Sequence, residues 1–347
     1  MKFIHIADVH FGRPFDNIHN RKIENDLRTA QRNAFKKVID IIKEEQIEFL
    51  FLSGDLFEQK YVEEETIKYV ISLFESIKDT KIFISPGNHD PLIKSSPYNT
   101  FNWPENVYIF SGDLGIFEFG KVCIYGFGFE NYEMINSNVL PIPVDKEKVN
   151  ILITHGTLNG NSLKYNDIKE RDLKNFDYVA LGHIHIPKID NSAIIYPGSL
   201  VPLGFDELGK RGAIKGEIIL NDKENSTIEY QFLEISEKQF DVIEIDISKY
   251  NSIFEIEDSI KLNENCYYKI KLIGTKNINV QDVIDIFSKK ENVIKVEDET
   301  RSKVNLEELS KQDNLKGIFI KKMLDEVNKN PNNKEKVYGA IDYVLNL

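Results

Sequence analysis

The chain has 347 residues, 41% of them hydrophobic and 29% charged, an ordinary globular composition with room for one large core and a second, smaller one. Its net charge of -12 excludes a protein that holds nucleic acid by being basic all over, so any such contact has to be local. No apolar run approaches the ~18 residues of a membrane span, MKFIHIADVH lacks the layout of a secretion signal, and Cys123 and Cys266 lie far apart in apolar segments; a soluble, cytoplasmic protein with no membrane association, no disulfide framework and no thiolate metal site is expected.

In chain order, KFIHIAD (2–8) predicts a strand that runs into DVHFGR. Leu27, Ala30, Ala34, Val38, Ile41 and Ile42 then recur at helical spacing behind Asn25 and Asp26, the capping candidates. FLFLSG (49–54) is a strand ending in GDLFE, and Ile67, Val70, Ile71 and Phe74 mark a second helix. KIFIS (81–85) runs into PGNHD, NILIT (150–154) into HGTLNG, and YVALG (178–182) into HIHIP. Short strands joined by tight turns are expected over 107–126 and 193–234, as antiparallel additions and a second sheet. Beyond residue 235, alternating strands over 240–248, 266–274 and 292–298 with helical stretches FEIEDSI and VQDVIDIFSKK predict a small α+β module. Two amphipathic helices follow, one presenting Leu315, Ile318, Phe319, Met323, Leu324 and Val327, the other Val337, Ala340, Ile341, Val344 and Leu345. They either close onto their own domain or offer an apolar face to a partner. Residues 311–336 carry seven Lys against four acids, a local positive stretch in a chain that is otherwise acidic.

Strand and helix alternate through the first 85 residues, which predicts an α/β fold: a largely parallel sheet, a second sheet packed on it, and flanking helices. In parallel sheets ligands bind where the strands end. Five strands end in Asp, His or Asn, so Asp8, His10, Asp55, Asn88, His89, His155, His183 and His185 can converge on one rim although they span most of the first 185 residues. A carboxylate can bridge two divalent cations while imidazole and amide oxygen complete each shell without added charge. That donor mixture suits two Mn, Fe or Zn ions and the hydrolysis of a phosphoester. Taken singly, each His could be a core residue and each Asp a cap or turn former; five such motifs at five strand ends make that reading poor. His5, inside FIHIA, reads as a core residue, and His19, in DNIHNRK, as a surface residue or a substrate contact.

D-x-H, GD, GNHD, H-G and GHIH, in this order, resemble the calcineurin-like metallophosphoesterase superfamily, over roughly the first 200 residues. IYPGSLVPLGFDELGKRG (195–212) further resembles the SbcD-type DNA double-strand-break repair nucleases, including their YhaO-like branch. The resemblance implies an α/β/β/α sandwich metallophosphoesterase domain over 1–235, a small α+β DNA-binding cap over 236–303, and a helical partner-docking segment over 304–347. It implies one metal among Asp8, His10, Asp55 and His185 and another among Asp55, Asn88, His155 and His183, manganese first, with iron or zinc as alternatives. His89 would contact the scissile phosphate, with Asp90 orienting it. Glu58 stands where many relatives carry His; it would orient His89 or a water, or be a solvated loop acid. The implied activity is a DNA nuclease, exonucleolytic on duplex and endonucleolytic on single strands, acting in repair as a homodimer with an SbcC-type coiled-coil ATPase. The alternatives are a metallophosphatase or phosphodiesterase for a small or phosphoprotein substrate, and a metal-containing scaffold for an ATPase.

Overall fold

The computed structural model describes the chain apart from residues 17, 19, 136–143, 161–163, 191, 221–225, 277, 302–305, 346 and 347. It divides into two compact units, Met1–Phe240 and Asp241–Leu347. In the first unit the elements are β1 (Lys2–Ile6), α1 (Arg21–Glu45), β2 (Phe49–Leu52), α2 (Glu64–Glu75), β3 (Lys81–Ile84), α3 (Pro97–Thr100), β4 (Val107–Ile109), β5 (Gly115–Phe119), β6 (Val122–Gly126), β7 (Val149–His155), the short β8 (Thr157–Leu158) and β9 (Asp167–Ile168), β10 (Tyr178–Gly182), β11 (Ile194–Ile195), β12 (Gly212–Ile219) and β13 (Thr227–Glu234).

The first sheet has the order β13-β12-β1-β2-β3-β4 and the second β11-β10-β7-β6-β5. Strands β1 to β4 are mutually parallel, as are β6, β7, β10 and β11; only β12, β13 and β5 run antiparallel to their neighbours. The short strands thus depart from the antiparallel expectation: β4, β6 and β11 all add in parallel. Enough chain to cross over precedes β4 and β11 and follows β6 before its pairing with β7, which strand length alone does not reveal.

Strand alternation sorts the side chains. Phe3, Phe49, Phe51 and Phe83 point between the sheets, where they meet Val122, Ile124, Ile151, Ile153 and Tyr178 of the second sheet. Phe3 stacks on Phe51 at 5.1 Å and meets Tyr178 edge-on at 4.9 Å. Burying such a ring contributes roughly 1.5–3 kcal/mol, so this aromatic layer is what keeps the two sheets in register with one another. The alternate residues Ile4, Ile6, Leu50, Leu52, Ile82 and Ile84 are buried on the other face, the side taken by α1 and α2. Phe35 of α1 links Phe11 and Phe74 there, at 5.3 and 6.0 Å. On the far side of the second sheet, Leu152, Val179 and Leu181 pack under Leu173 and Phe176. The outer layer there is a 3-10 turn, Glu170–Leu173, and irregular chain.

Helix α1 begins earlier than its apolar periodicity suggests. Its cap is Asn20, whose side chain accepts from the backbone N–H groups of Lys22 and Ile23, and Asn25 and Asp26 lie inside the helix. Ile23 is buried, so the apolar stripe extends one turn further back.

The second unit holds a three-stranded sheet, β14 (Gln239–Asp246), β15 (Cys266–Ile273) and β16 (Val293–Asp298), with α4 (Ile253–Ser259) and α5 (Val280–Phe287). Ile245, Ile256, Ile270, Leu272, Val283 and Phe287 form its core. Then come α6 (Leu306–Leu309), α7 (Leu315–Lys329) and α8 (Lys334–Leu345). Phe319, Met323, Leu324 and Val327 pack around Ile320, Val337 and Ile341, whereas Leu315 and Ile318 are 85% and 50% exposed. Among the described residues no helix is long and apolar enough to cross a membrane.

The cap assignment predicts that Asn20→Ala lowers the unfolding free energy by about 1 kcal/mol, and that Asn25→Ala changes it by less than about 0.5 kcal/mol. Denaturant titration of the two variants checks this.

Candidate metal centre

The carboxyl ends of β1, β2, β3, β7 and β10 come together. Asp8 and His10 follow β1, and their backbone is zipped to the loop after β2: Asp8 N–H donates to Gly54 O at 3.1 Å and His10 N–H to Asp55 O at 2.9 Å. Asp8, His10, Asp55 and His183 all hold left-handed backbone, with φ of 51°, 53°, 53° and 99°. Such conformations cost of order 1–3 kcal/mol each in non-glycine residues and persist only where the surroundings impose them. Room is also made by missing side chains. A Cβ on Gly87 would lie 2.2 Å from Asp55 Oδ1, and one on Gly182 would lie 1.8 Å from Ser53 O.

Asp8, His10 and His185 form one group of converging donor atoms, and Asp55, His155 and His183 another. Asp55 Oδ2 lies between them, 3.7 Å from His10 Nε2 and 3.3 Å from His155 Nε2. Asn88 Oδ1 completes the second group, 3.1 Å from His155 Nε2 and 3.2 Å from His183 Nδ1. All seven residues expected to hold metal therefore meet at one place, and Asp8, His10, Asp55 and His155 are at most 1% exposed.

The far side of three rings is already engaged. His10 Nδ1 donates to Glu58 Oε1 at 3.0 Å, His185 Nδ1 to Glu207 Oε1 at 2.6 Å, and His155 Nδ1 to Ser53 O at 2.9 Å. With the proton held at Nδ1, each Nε2 is a lone pair aimed into the site. His10 Nε2 and His185 Nε2 then face each other at 3.1 Å. Neutral rings would set two lone pairs against each other there; a proton on one Nε2 in the metal-free site, or a cation shared by both, turns the contact favourable. The donor set, two aspartates, four imidazoles and an amide oxygen, thus fits two divalent ions.

The local field agrees. Burial pushes His155 and His185 down, but Asp55 next to the first and the Glu207 hydrogen bond to the second outweigh it and raise both to about 9. Burial and the neighbouring His155 lower His183 to about 4. Burial would raise Asp55, yet His155 and His10 hold it well below the usual carboxylate range. The cluster favours positive charge at its centre, which is what a metal supplies.

His89 differs from the other rings. Its backbone N–H donates to Asp55 Oδ1 at 2.8 Å, its Nδ1 donates to Glu58 Oε2 at 2.9 Å, and its side chain is 42% exposed. Glu58 opposes burial through its hydrogen bonds to His10 and His89 and sits low, at about 2. It is therefore a buried clamp between two imidazoles and not a solvated loop acid. Asp90 also departs from expectation, because it does not reach the His89 ring. Its oxygens accept from the backbone N–H groups of Asp55, Leu56, Phe57 and Gly87 and from the Tyr98 hydroxyl, at 2.6–3.2 Å. It pins the loop carrying Asp55 to the loop carrying Asn88. Sequence pattern alone assigns no role to Glu207; its only advance signal is its place in VPLGFDELGKRG, downstream of GHIH. His5 is a core residue, bonded to Ser53 Oγ and the Tyr178 hydroxyl, and burial lowers it to about 3. His19 lies outside the described residues.

The family model of calcineurin-like phosphoesterases matches residues 1–187, more than half of the chain. The chain belongs to that family. It is accordingly a metal-dependent phosphoester hydrolase, built on the two-sheet fold described above. Among curated proteins it is 25% identical over 293 residues to the uncharacterized metallophosphoesterase YhaO of Bacillus subtilis, covering 79% of this chain and 69% of YhaO. It is 28% identical over 317 residues to the SbcD component of the nuclease SbcCD of Staphylococcus epidermidis, covering 80% of each. It is 25% identical over 276 residues to the DNA double-strand break repair protein Mre11 of Methanopyrus kandleri, covering 71% of this chain and 59% of that protein.

If Asp90 is a backbone clip, Asp90→Ala leaves four buried N–H groups without an acceptor and costs at least about 3 kcal/mol of stability in the metal-stripped protein. Denaturant unfolding measures it; a residue that served only to orient His89 would leave stability unchanged.

Proposed function

We propose that this chain is a two-metal nuclease that hydrolyses DNA phosphodiesters, on duplex ends as an exonuclease and on single strands as an endonuclease. The observation that carries the reading is the contrast between His89 and its neighbours: one imidazole, half open to solvent and held by Glu58, beside a set of seven converging donors, four of them fully buried, that Asp55 joins. Asp8, His10 and His185 would hold one cation and Asn88, His155 and His183 the other, with Asp55 common to both. Bound there, two divalent ions withdraw charge from a phosphoryl group and make a neighbouring water more acidic. Manganese suits the mixed oxygen and nitrogen set, and so do iron and zinc.

The protein's own part lies in positioning. The Glu58 carboxylate fixes the His89 proton at Nδ1 when the ring is neutral and stabilises the ring when it is protonated; it raises the affinity of His89 for a proton against the effect of burial. The protonated ring can give its Nε2 proton to the leaving oxygen as the ester bond breaks. Because Glu58 also holds His10, the acid and the metal ligand share one support.

DNA as substrate is supported by the relatives, named for double-strand break repair and as part of a nuclease. On the same ground we assign 1–235 as the nuclease domain, 236–303 as a DNA-binding cap and 304–347 as a docking segment for an SbcC-type ATPase, in a homodimer acting in DNA repair. The exposed Leu315 and Ile318 on α7 support the docking assignment.

Purified protein incubated with manganese, end-labelled blunt duplex and a small chromogenic phosphodiester tests the reading. Metal-dependent loss of the duplex supports it, and cleavage of the small ester alone, with the ATPase partner present, contradicts it. His89→Gln should keep both metals by elemental analysis and lose about 10²–10⁴-fold in kcat on either substrate. Glu58→Gln should keep KM and lose about 10-fold or more in kcat, since the acid is still present but poorly held.

A further inference from the structure

The two groups of donors are backed differently, and the difference centres on Glu207. This residue is 3% exposed and both of its oxygens are committed. Oε1 accepts from His185 Nδ1 at 2.6 Å; Oε2 accepts from Ser199 Oγ at 2.6 Å and from Leu203 N–H at 3.0 Å. Arg211 stands behind it, 1% exposed, with Nε 3.9 Å from Glu207 Oε2 and without a hydrogen-bond partner of its own. Its two Nη atoms donate to the carbonyls of Lys210 and Leu208. A buried carboxylate with three donors and a guanidinium beside it stays ionised and cannot turn.

We propose that Glu207 is a positioning residue that, through His185, makes the metal position of Asp8, His10 and His185 the tighter of the two. The inference rests on the two-metal reading above. A carboxylate on Nδ1 draws the ring proton toward itself and leaves Nε2 a stronger donor; it also fixes the rotation of the ring about the site. In the first group both rings have such support, His10 from Glu58 and His185 from Glu207. In the second, the hydrogen-bond partner of His155 Nδ1 is the neutral carbonyl of Ser53 at 2.9 Å, with the Asp8 carboxylate further off at 4.0 Å, and Asn88 is an uncharged ligand. Three carboxylates, Asp8, Glu58 and Glu207, therefore serve the first position, and the second relies on the shared Asp55. Two divalent ions against these four carboxylates leave the whole centre close to neutral, so the second ion enters a site whose charge the first has already reduced.

The test is equilibrium binding of Mn2+ to the metal-stripped full chain, by titration calorimetry, with the melting temperature of the stripped protein followed in parallel. Wild type is expected to bind two ions in two separable phases. In Glu207→Gln the tighter phase should weaken by about 10- to 100-fold while the weaker phase stays as it was, with the melting temperature of the stripped protein falling because Arg211 loses its charged neighbour. Ser199→Ala, which removes one of the two donors to Glu207 Oε2 and leaves its bond to His185 in place, should weaken the same phase by less. Unchanged affinities in Glu207→Gln overturn the inference, as does an equal loss in both phases. If Glu207→Gln does not fold, an unaltered tight phase in Ser199→Ala overturns it instead. Wild-type protein that binds fewer than two ions overturns the two-metal reading and this inference with it.

Discussion

The placement of the Asp55 carboxylate is the constraint on which the rest of the first unit depends. One oxygen lies between the imidazoles of His10 and His155 and the other accepts the backbone N–H of His89. To bring it there the chain holds Asp55 in left-handed backbone, denies a side chain to the neighbouring Gly87, and ties the surrounding loops with Asp90. Those conformations are unfavourable alone. They are offset by the five hydrogen bonds that Asp90 accepts and by the aromatic layer between the sheets, which fixes the strand ends before any ligand is considered.

The division of labour among the acids follows from that. Asp8 and Asp55 point into the centre; Glu58, Asp90 and Glu207 stand behind it, each occupied with a different neighbour. Glu58 joins a ring of the metal group to the ring that faces solvent, so a displacement of one is felt by the other. A site built this way keeps its donor atoms aimed without a bound ion, which reduces the reorganisation needed when charge arrives.

Much of this was legible in the sequence, and the reason is local. A strand ending in Asp or His is written in a few consecutive residues, so Asp8, Asp55, Asn88, His155 and His183 could be read as one rim once the strand and helix order implied a parallel sheet. His5 could be placed in the core because it alternates with Ile4 and Ile6. What could not be read depends on contacts across the chain. The direction in which β4, β6 and β11 pair is set by crossovers, not by their own residues. Asn25 and Asp26 looked like caps because the stripe was counted from Leu27, while Ile23 extended it back to Asn20. Glu58 and Glu207 lie 31 and 22 residues from the rings they hold, and Asp90 adjoins His89 in sequence yet points away from it. Adjacency suggested the wrong partner there, since neighbouring residues in a turn diverge.

The claim that five strand ends assemble one centre for two cations is tested most directly by anomalous diffraction from crystals grown with manganese. The account predicts two peaks about 3.5–4 Å apart, with the Asp55 carboxylate in contact with both, His10 and His185 on one and His155 and His183 on the other. A single peak, or a pair that Asp55 does not join, would contradict it.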